Sequence, residues 1–283
     1  MTAPLRLALA GVGIAHSPSP HLHRQLLALS GLVGDSRLLD GVPWAEVEAQ
    51  LRSGELAGAS VTTPYKRAAA AAIDRWPGYA AVDGAPRPRS VNTVWRREQL
   101  LWGTSTDGPG LAEVLTHLQP WSGQTVWILG TGGAALALAQ TLVGLGARVW
   151  VTGRDTQAAR ALAAAVGCRS ADWGQPVAGA TLVIHASRWG HGQSGAPELA
   201  TWAWLPWAQW RAQPIELVDI VYARAGLTWF EQQAQRLGIP PAVPGQPGLR
   251  AGAGLHMLLA QAALAFAAIT GQRHDWRRLT TST

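Results

Sequence analysis

Apolar and polar positions along the chain fall into two registers. In the first hundred residues the apolar runs are short and interrupted. Residues 5–11, LRLALAG, read as a buried strand, and Ser19-Pro20 marks a helix start with Ser at the cap and Pro in the first turn. Residues 44–51 suit a second helix, 57–62 a strand, and Pro64 opens an Ala-rich helix to residue 73. Residues 90–96 and 99–103 read as two short strands around a polar turn, and 108–118 as a helix.

The second register begins at Gln124. TVWILG is a continuous apolar run of the kind found in buried parallel strands. It ends in Gly130-Thr131-Gly132-Gly133-Ala134, and a helix follows to residue 145. Strands at 147–152, 181–185 and 215–220 alternate with helices at 157–166 and 227–237. Such alternation predicts an α/β fold with a doubly wound parallel sheet. Residues 238–254 hold four Pro and five Gly and read as a connection before a last helix at 254–270. The Trp- and Pro-rich region 170–214 has no readable period beyond its one strand.

Composition narrows the class. With 283 residues, 48% hydrophobic and 14% charged, the chain can bury one large core or two ordinary ones, and it is not a disordered polymer. The apolar stretches 126–151 and 254–271 are broken by Gly, Gln, His or Arg, so no membrane span is read. No signal peptide is read at the N-terminus. The one cysteine, Cys168, excludes a disulfide framework and a Cys-based metal site, and a cytoplasmic setting is the expectation. The net charge of +6 suits an anionic small substrate or a phosphate-bearing cofactor. The arginines are scattered and no groove-reading motif is present, so nucleic acid is not the expected partner.

The basic residues are also lopsided: 22 of 23 are Arg, and Lys66 is the single lysine. Arg keeps its proton in proteins, whereas a lysine ammonium can give and take one, so a retained Lys points to proton chemistry. Asn92 is the single asparagine, which suggests a place needing donor and acceptor on one short side chain.

Four further segments carry candidate chemistry. Gly130-Thr131-Gly132-Gly133-Ala134 lies between a strand and a helix, where glycines let backbone approach a pyrophosphate at the positive helix end. The next strand ends in Thr152-Gly153-Arg154-Asp155. A guanidinium there suits the 2′-phosphate of NADP, with Thr152 offering a hydroxyl; Asp155 could instead reach the ribose or pair with Arg154. Ser17 and Ser19 stand two apart before a helix, able to face one anionic group or to serve as cap and turn. Asp107 ends a strand before a helix, as a functional carboxylate or a cap.

The segments GVGIAHSPSPHLH, GASVTTPYK, SVNTV, WGTSTDGPGL, ILGTGGAA, VTGRD, DIVYARAGLTWF and GLHMLLAQAALAF resemble the shikimate dehydrogenase family in that order. The resemblance implies a substrate-binding α/β domain at 1–106, a Rossmann-type NADP domain at 107–250, and a C-terminal helix at 251–283 returning to the first domain. It implies NADPH-dependent reduction of 3-dehydroshikimate to shikimate by a monomer or homodimer without a metal. Lys66 and Asp107 match the family's catalytic pair. Ser17 and Ser19 match its carboxylate-binding serines; Thr62, Asn92 and Gln261 match groups on the ring hydroxyls, and Tyr222 a tyrosine near the substrate. Gly130, Thr131, Gly132, Gly133, Ala134, Thr152 and Arg154 fall on the cofactor side. The chain departs from the family at Ser60, Ser105 and Gly153, where Asn is usual, and in the run from His185 to His191, where the family has Asn-Ala-Thr-x-x-Gly-Met. A quinate or aminoshikimate dehydrogenase shares the expected chemistry, and an NADP-binding regulator would lack it.

Overall fold

The computed structural model describes residues 4–77, 87–187, 203–223, 226–243 and 247–281. Two compact units divide the chain, Met1–Glu113 with Leu258–Thr283 and Val114–Met257. In chain order the elements are β1 (Leu5–Gly11), α1 (Ser19–Leu29), β2 (Gly34–Asp40), α2 (Trp44–Ser53), β3 (Gly58–Val61), α3 (Lys66–Ala72), β4 (Thr93–Arg97), β5 (Leu100–Thr104) and α4 (Asp107–Val114). There follow β6 (Thr125–Leu129), α5 (Gly133–Gly144), β7 (Arg148–Thr152), α6 (Thr156–Val166), β8 (Arg169–Ser170), β9 (Leu182–His185), α7 (Trp207–Ala212), β10 (Glu216–Asp219), α8 (Trp229–Arg236) and α9 (Ala253–Thr270).

The first unit holds a five-stranded sheet in the order β2-β1-β3-β4-β5, with β1 parallel to β2 and β3 and the last two strands antiparallel. Its core gathers Val47, Leu51, Leu56, Val61, Val91 and Leu101. Strand β2 has no counterpart among the predicted elements. Its sequence GDSRLLD buries only Ser36 and Leu39, because it is an edge strand and most of its side chains meet water. The β4–β5 hairpin turns through Glu98 and Gln99, whose φ of 52° and 68° give the left-handed pair that matches strand twist.

Helix starts differ from expectation in three places. Ser19 is the first residue of α1 and not its cap; Pro18 stands at the cap, and the Ser17 hydroxyl accepts from Ser19 N at 3.3 Å. Helix α3 starts at Lys66, after Tyr65, instead of at Pro64. Helix α4 starts at Asp107 and gives way to a separate 3-10 turn at Thr116–Leu118.

The second unit is the expected doubly wound sheet, all parallel, in the order β10-β9-β6-β7-β8. The central strand β6 is buried at all five positions. From β6 the chain winds through β7 to β8, then returns to β9 and β10 on the other side. The neighbours β6 and β9 therefore flank the point where strand order reverses. In the region without a readable period, α7 buries Trp207 and Trp210 beside Trp127 and Phe230, an aromatic core with no helical or strand repeat in sequence.

Helix α9 has 18 residues and is long and apolar enough, by length and composition, to cross a membrane. More than half of it is buried in the protein, as in the core helix of a folded domain. In the first unit Ile269 fills the space beside Gly58, and Gln261 lies so close to Gly110 that a Cβ there would come 2.9 Å from Gln261 N. Residues Arg188, Trp189, Gly190 and His191, and Pro244, Gly245 and Gln246 of the expected connection, lie outside the described residues.

Candidate functional site

Parallel neighbours release their loops at the same end of a sheet, which gathers the candidate residues of the first unit. Ser17 and Ser19 follow β1; Thr62 and Lys66 follow β3, and Thr62 N donates to Ala10 O at 2.9 Å. Asp40, at the end of β2, accepts from Gly13 N at 2.7 Å and Ile14 N at 3.2 Å, and so pins the loop before the serines. Sequence reading missed Asp40 together with its strand. The Ser17 hydroxyl donates to the Ser19 hydroxyl at 3.1 Å, so the two expected partners of one anion stand side by side.

Lys66 and Asp107 are each the first residue of a helix, and Lys66 Nζ lies 2.5 Å from Asp107 Oδ2. Their side chains are 14% and 3% exposed, so the pair works largely out of water, where charge–charge attraction is strong. Asp107 is therefore a partner of the lysine and not a simple cap. Its other oxygen accepts from Asn92 Nδ2 at 2.8 Å. Asn92 Nδ2 also faces Gln261 Oε1 at 2.8 Å, while Asn92 Oδ1 accepts from Thr106 N at 2.8 Å and Thr93 Oγ1 at 3.0 Å. Here one short uncharged side chain donates twice and accepts twice, which a hydroxyl, with its single donor, does not do. One chain of contacts thus joins Lys66, Asp107, Asn92 and Gln261, drawn from four separate segments. Thr106 belongs to it as well and carried no sequence signal beyond adjacency to Asp107.

Ser60, one of the departures from the family pattern, has an explanation in the structure. His23 is buried, with Nδ1 2.7 Å from Ser36 Oγ and Nε2 3.0 Å from Ser60 Oγ. Burial, with a smaller push from Arg24, lowers the His23 pKa to about 4, so the ring stays neutral.

In the second unit Gly130 has a φ of 147°, and a Cβ there would meet Ala186 O at 2.4 Å. Only glycine fits both demands. Gly132 caps α5 without any side-chain hydrogen bond, and nothing lies within 4 Å of where its Cβ would be. Open backbone at an uncapped helix N-terminus is a cradle for a phosphate, so these residues fit a dinucleotide. Gly133 and Ala134 begin the helix itself. Thr131 packs over Gly153, where a Cβ would come 2.6 Å from Thr131 Cγ2, so the glycine-for-Asn departure at Gly153 keeps the two loops close.

Thr152 corrects an expectation. It is fully buried, and its hydroxyl accepts from Trp127 Nε1 at 2.8 Å, so it braces the turn instead of offering a hydroxyl to a ligand. Asp155 caps α6 by accepting from Ala158 N at 2.9 Å. Arg154 stands between them in the loop after β7, and Tyr222 lies beyond the end of β10. Burial pushes the Cys168 thiol up to about 11, which removes it as a nucleophile. Among the described residues no three His, Cys, Asp or Glu converge as a metal site.

Known proteins similar to this chain share one family. Residues 9–94 match the family model described as the shikimate dehydrogenase substrate binding domain. A curated shikimate dehydrogenase (NADP(+)) from Thermus thermophilus is 35% identical over 274 residues, 96% of this chain and 94% of the relative. One from Acidiphilium cryptum is 34% identical over 94% of this chain and 91% of the relative. The crystal structure of shikimate 5-dehydrogenase from Thermus thermophilus in complex with NADP(H) and shikimate superposes with a TM-score of 0.74, at 32% identity and 96% of each chain.

Proposed function

We propose, from the premise that this chain belongs to the shikimate dehydrogenase family, that Lys66 and Asp107 form the acid–base pair of its reaction. The protein is an NADP-dependent oxidoreductase that interconverts 3-dehydroshikimate and shikimate, a step toward the aromatic amino acids. The unit built on β1–β5 takes the substrate and the unit built on β6–β10 takes NADP.

The observation that carries the site assignment is the 2.5 Å contact between the only lysine and Asp107, continued through the only asparagine to Gln261. Bound NADPH supplies the hydride. As the ring carbonyl is reduced, negative charge grows on its oxygen, and the Lys66 ammonium stabilises that charge and delivers the proton. Asp107 holds the ammonium in place and accepts from a ring hydroxyl. Asn92, Gln261 and Thr62 bind the ring hydroxyls, Ser17 and Ser19 the carboxylate, and Tyr222 borders the substrate. Arg154 takes the 2′-phosphate, to which its planar fork is matched. The enzyme acts in the cytoplasm as a monomer or homodimer, on small molecules and not on nucleic acid or membranes.

The test follows NADPH absorbance with 3-dehydroshikimate, and NADP with shikimate and with quinate, in wild type and Lys66→Ala. Turnover of the shikimate pair by wild type alone is expected. Equal turnover by folded Lys66→Ala protein, or a preference for quinate, would overturn the assignment.

A further inference from the structure

The last segment of the chain builds a second cavity in the first unit. Helix α9 ends at Thr270, and Gly271, with a φ of 77°, turns the chain back along it. The returning segment is fastened to α1. His274 Nε2 lies 2.6 Å from Ser30 Oγ, Thr280 N donates to Gln25 Oε1 at 3.1 Å, and Thr280 O accepts from Gln25 Nε2 at 2.8 Å. Leu279 is buried beneath it. Between this segment, α9 and the end of α4 lies a cavity of about 310 Å³, at the small end of small-molecule sites.

Part of its lining is apolar: Ala263, Leu264 and Ala267 of α9, with the Trp276 ring. The rest is charged, in both signs. Arg277 is engaged within the wall, its guanidinium over the Trp276 ring at 4.7 Å and Nη1 3.3 Å from Asp275 Oδ1. Asp275 is occupied too, since it also accepts from Arg277 N at 3.0 Å as the cap of a 3-10 turn. Glu113 and Arg273 differ. Among the described residues neither side chain has a hydrogen bond or an ion pair. Burial pushes the Glu113 carboxyl above the usual carboxylate range, while Arg273 and Arg277 pull it the other way.

That pair of opposite charges restricts the ligand. A simple anion drawn by Arg273 would meet the Glu113 carboxylate, and a simple cation drawn by Glu113 would meet two guanidiniums. A small molecule bearing both signs satisfies each, and the aliphatic wall with the indole takes an apolar group. We propose that this cavity binds an α-amino acid with an apolar side chain, its ammonium on Glu113 and its carboxylate on Arg273. The site uses none of the residues assigned above to substrate or NADP.

The experiment measures binding to the full chain by calorimetry, with L-phenylalanine as the probe. Wild type is expected to bind it saturably. The probes 3-phenylpropionate, which lacks the ammonium, and 2-phenylethylamine, which lacks the carboxylate, should each bind about 10-fold more weakly, as for a lost hydrogen bond to a charged group. Glycine, without the apolar group, should bind more weakly as well. Glu113→Gln is expected to weaken L-phenylalanine about 10-fold and Arg273→Ala, at an exposed position, about 5-fold. Gln keeps the shape of Glu and Arg273 is exposed, so neither change disturbs the fold. Saturating shikimate leaves L-phenylalanine binding as it was. Absence of saturable binding by wild type, wild-type affinity in either variant, or equal affinity for 3-phenylpropionate overturns the proposal. So does competition by shikimate, which would put the probe in the substrate site.

Discussion

The two units solve the same problem with different materials. Each places a buried polar series at the carboxyl end of parallel strands, where loops from several strands meet. In the first unit the series runs from Lys66 through Asp107 and Asn92 to Gln261, and it ends on a charged group that can move a proton. In the second it runs from Asp219 through His185 to Ser187, and it ends on a neutral hydroxyl. A buried charge is costly unless paired, so the first series is built around an ion pair. The second needs only satisfied hydrogen bonds. In the reading proposed above, the difference separates a series that serves proton transfer from one whose contacts tie two strand ends to a helix cap.

The sharpest way to break this contrast is at the ion pair. Lys66→Ala is expected to lower kcat by about 10²- to 10⁴-fold, the range for a positioned acid–base group, with Asp107→Ala similar. Lys66→Arg is expected to fail too, since it keeps charge but loses the compact titratable amine. Steady-state rates on folded variants check this.

A second histidine sharpens the comparison. His23 is bonded on both nitrogens like His185, but to hydroxyls only, with no carboxylate. Its folded pKa of about 4 lies below the unfolded value of 6.5, so the unfolded chain binds the extra proton. Stability is therefore full above pH 6.5 and falls as pH drops toward 4, by about 3 kcal/mol in all. Urea unfolding against pH should show the slope in wild type and a flatter one in His23→Gln.

Smaller effects distinguish binding from architecture. Ser17→Ala and Ser19→Ala are each expected to weaken shikimate by about 1.5–3 kcal/mol, the worth of a hydrogen bond to a charged group, with KM for NADP unchanged. Equal change in both constants would return the pair to cap and turn. Smallest, Asp155→Ala should cost about 1 kcal/mol of stability as a lost cap and leave the NADP-to-NAD preference as it was. Arg154→Ala should erase that preference, by comparison of kcat/KM for the two cofactors.

The strands and helices with a clean period were legible in the chain, and so was the glycine-rich turn between β6 and α5. Lys66 and Asn92 were legible for another reason: in a chain biased toward Arg, a residue kept once marks a place where its chemistry cannot be replaced. The edge strand β2 was not legible, because an edge buries too little to impose an apolar pattern. Neither was the role of Thr152: Thr152 and Arg154 sit two apart at a strand end, and only packing against Trp127 turns one inward. His185 and Asp219 are common residue types 34 positions apart, and nothing local links them. Sequence by itself determined the local elements and the types of chemistry, since propensity and periodicity act over a few residues. Only the tertiary structure decided which side chains meet, because Asn92 and Gln261 lie 169 residues apart and are joined by the packing of α9 against Gly110 and Gly58.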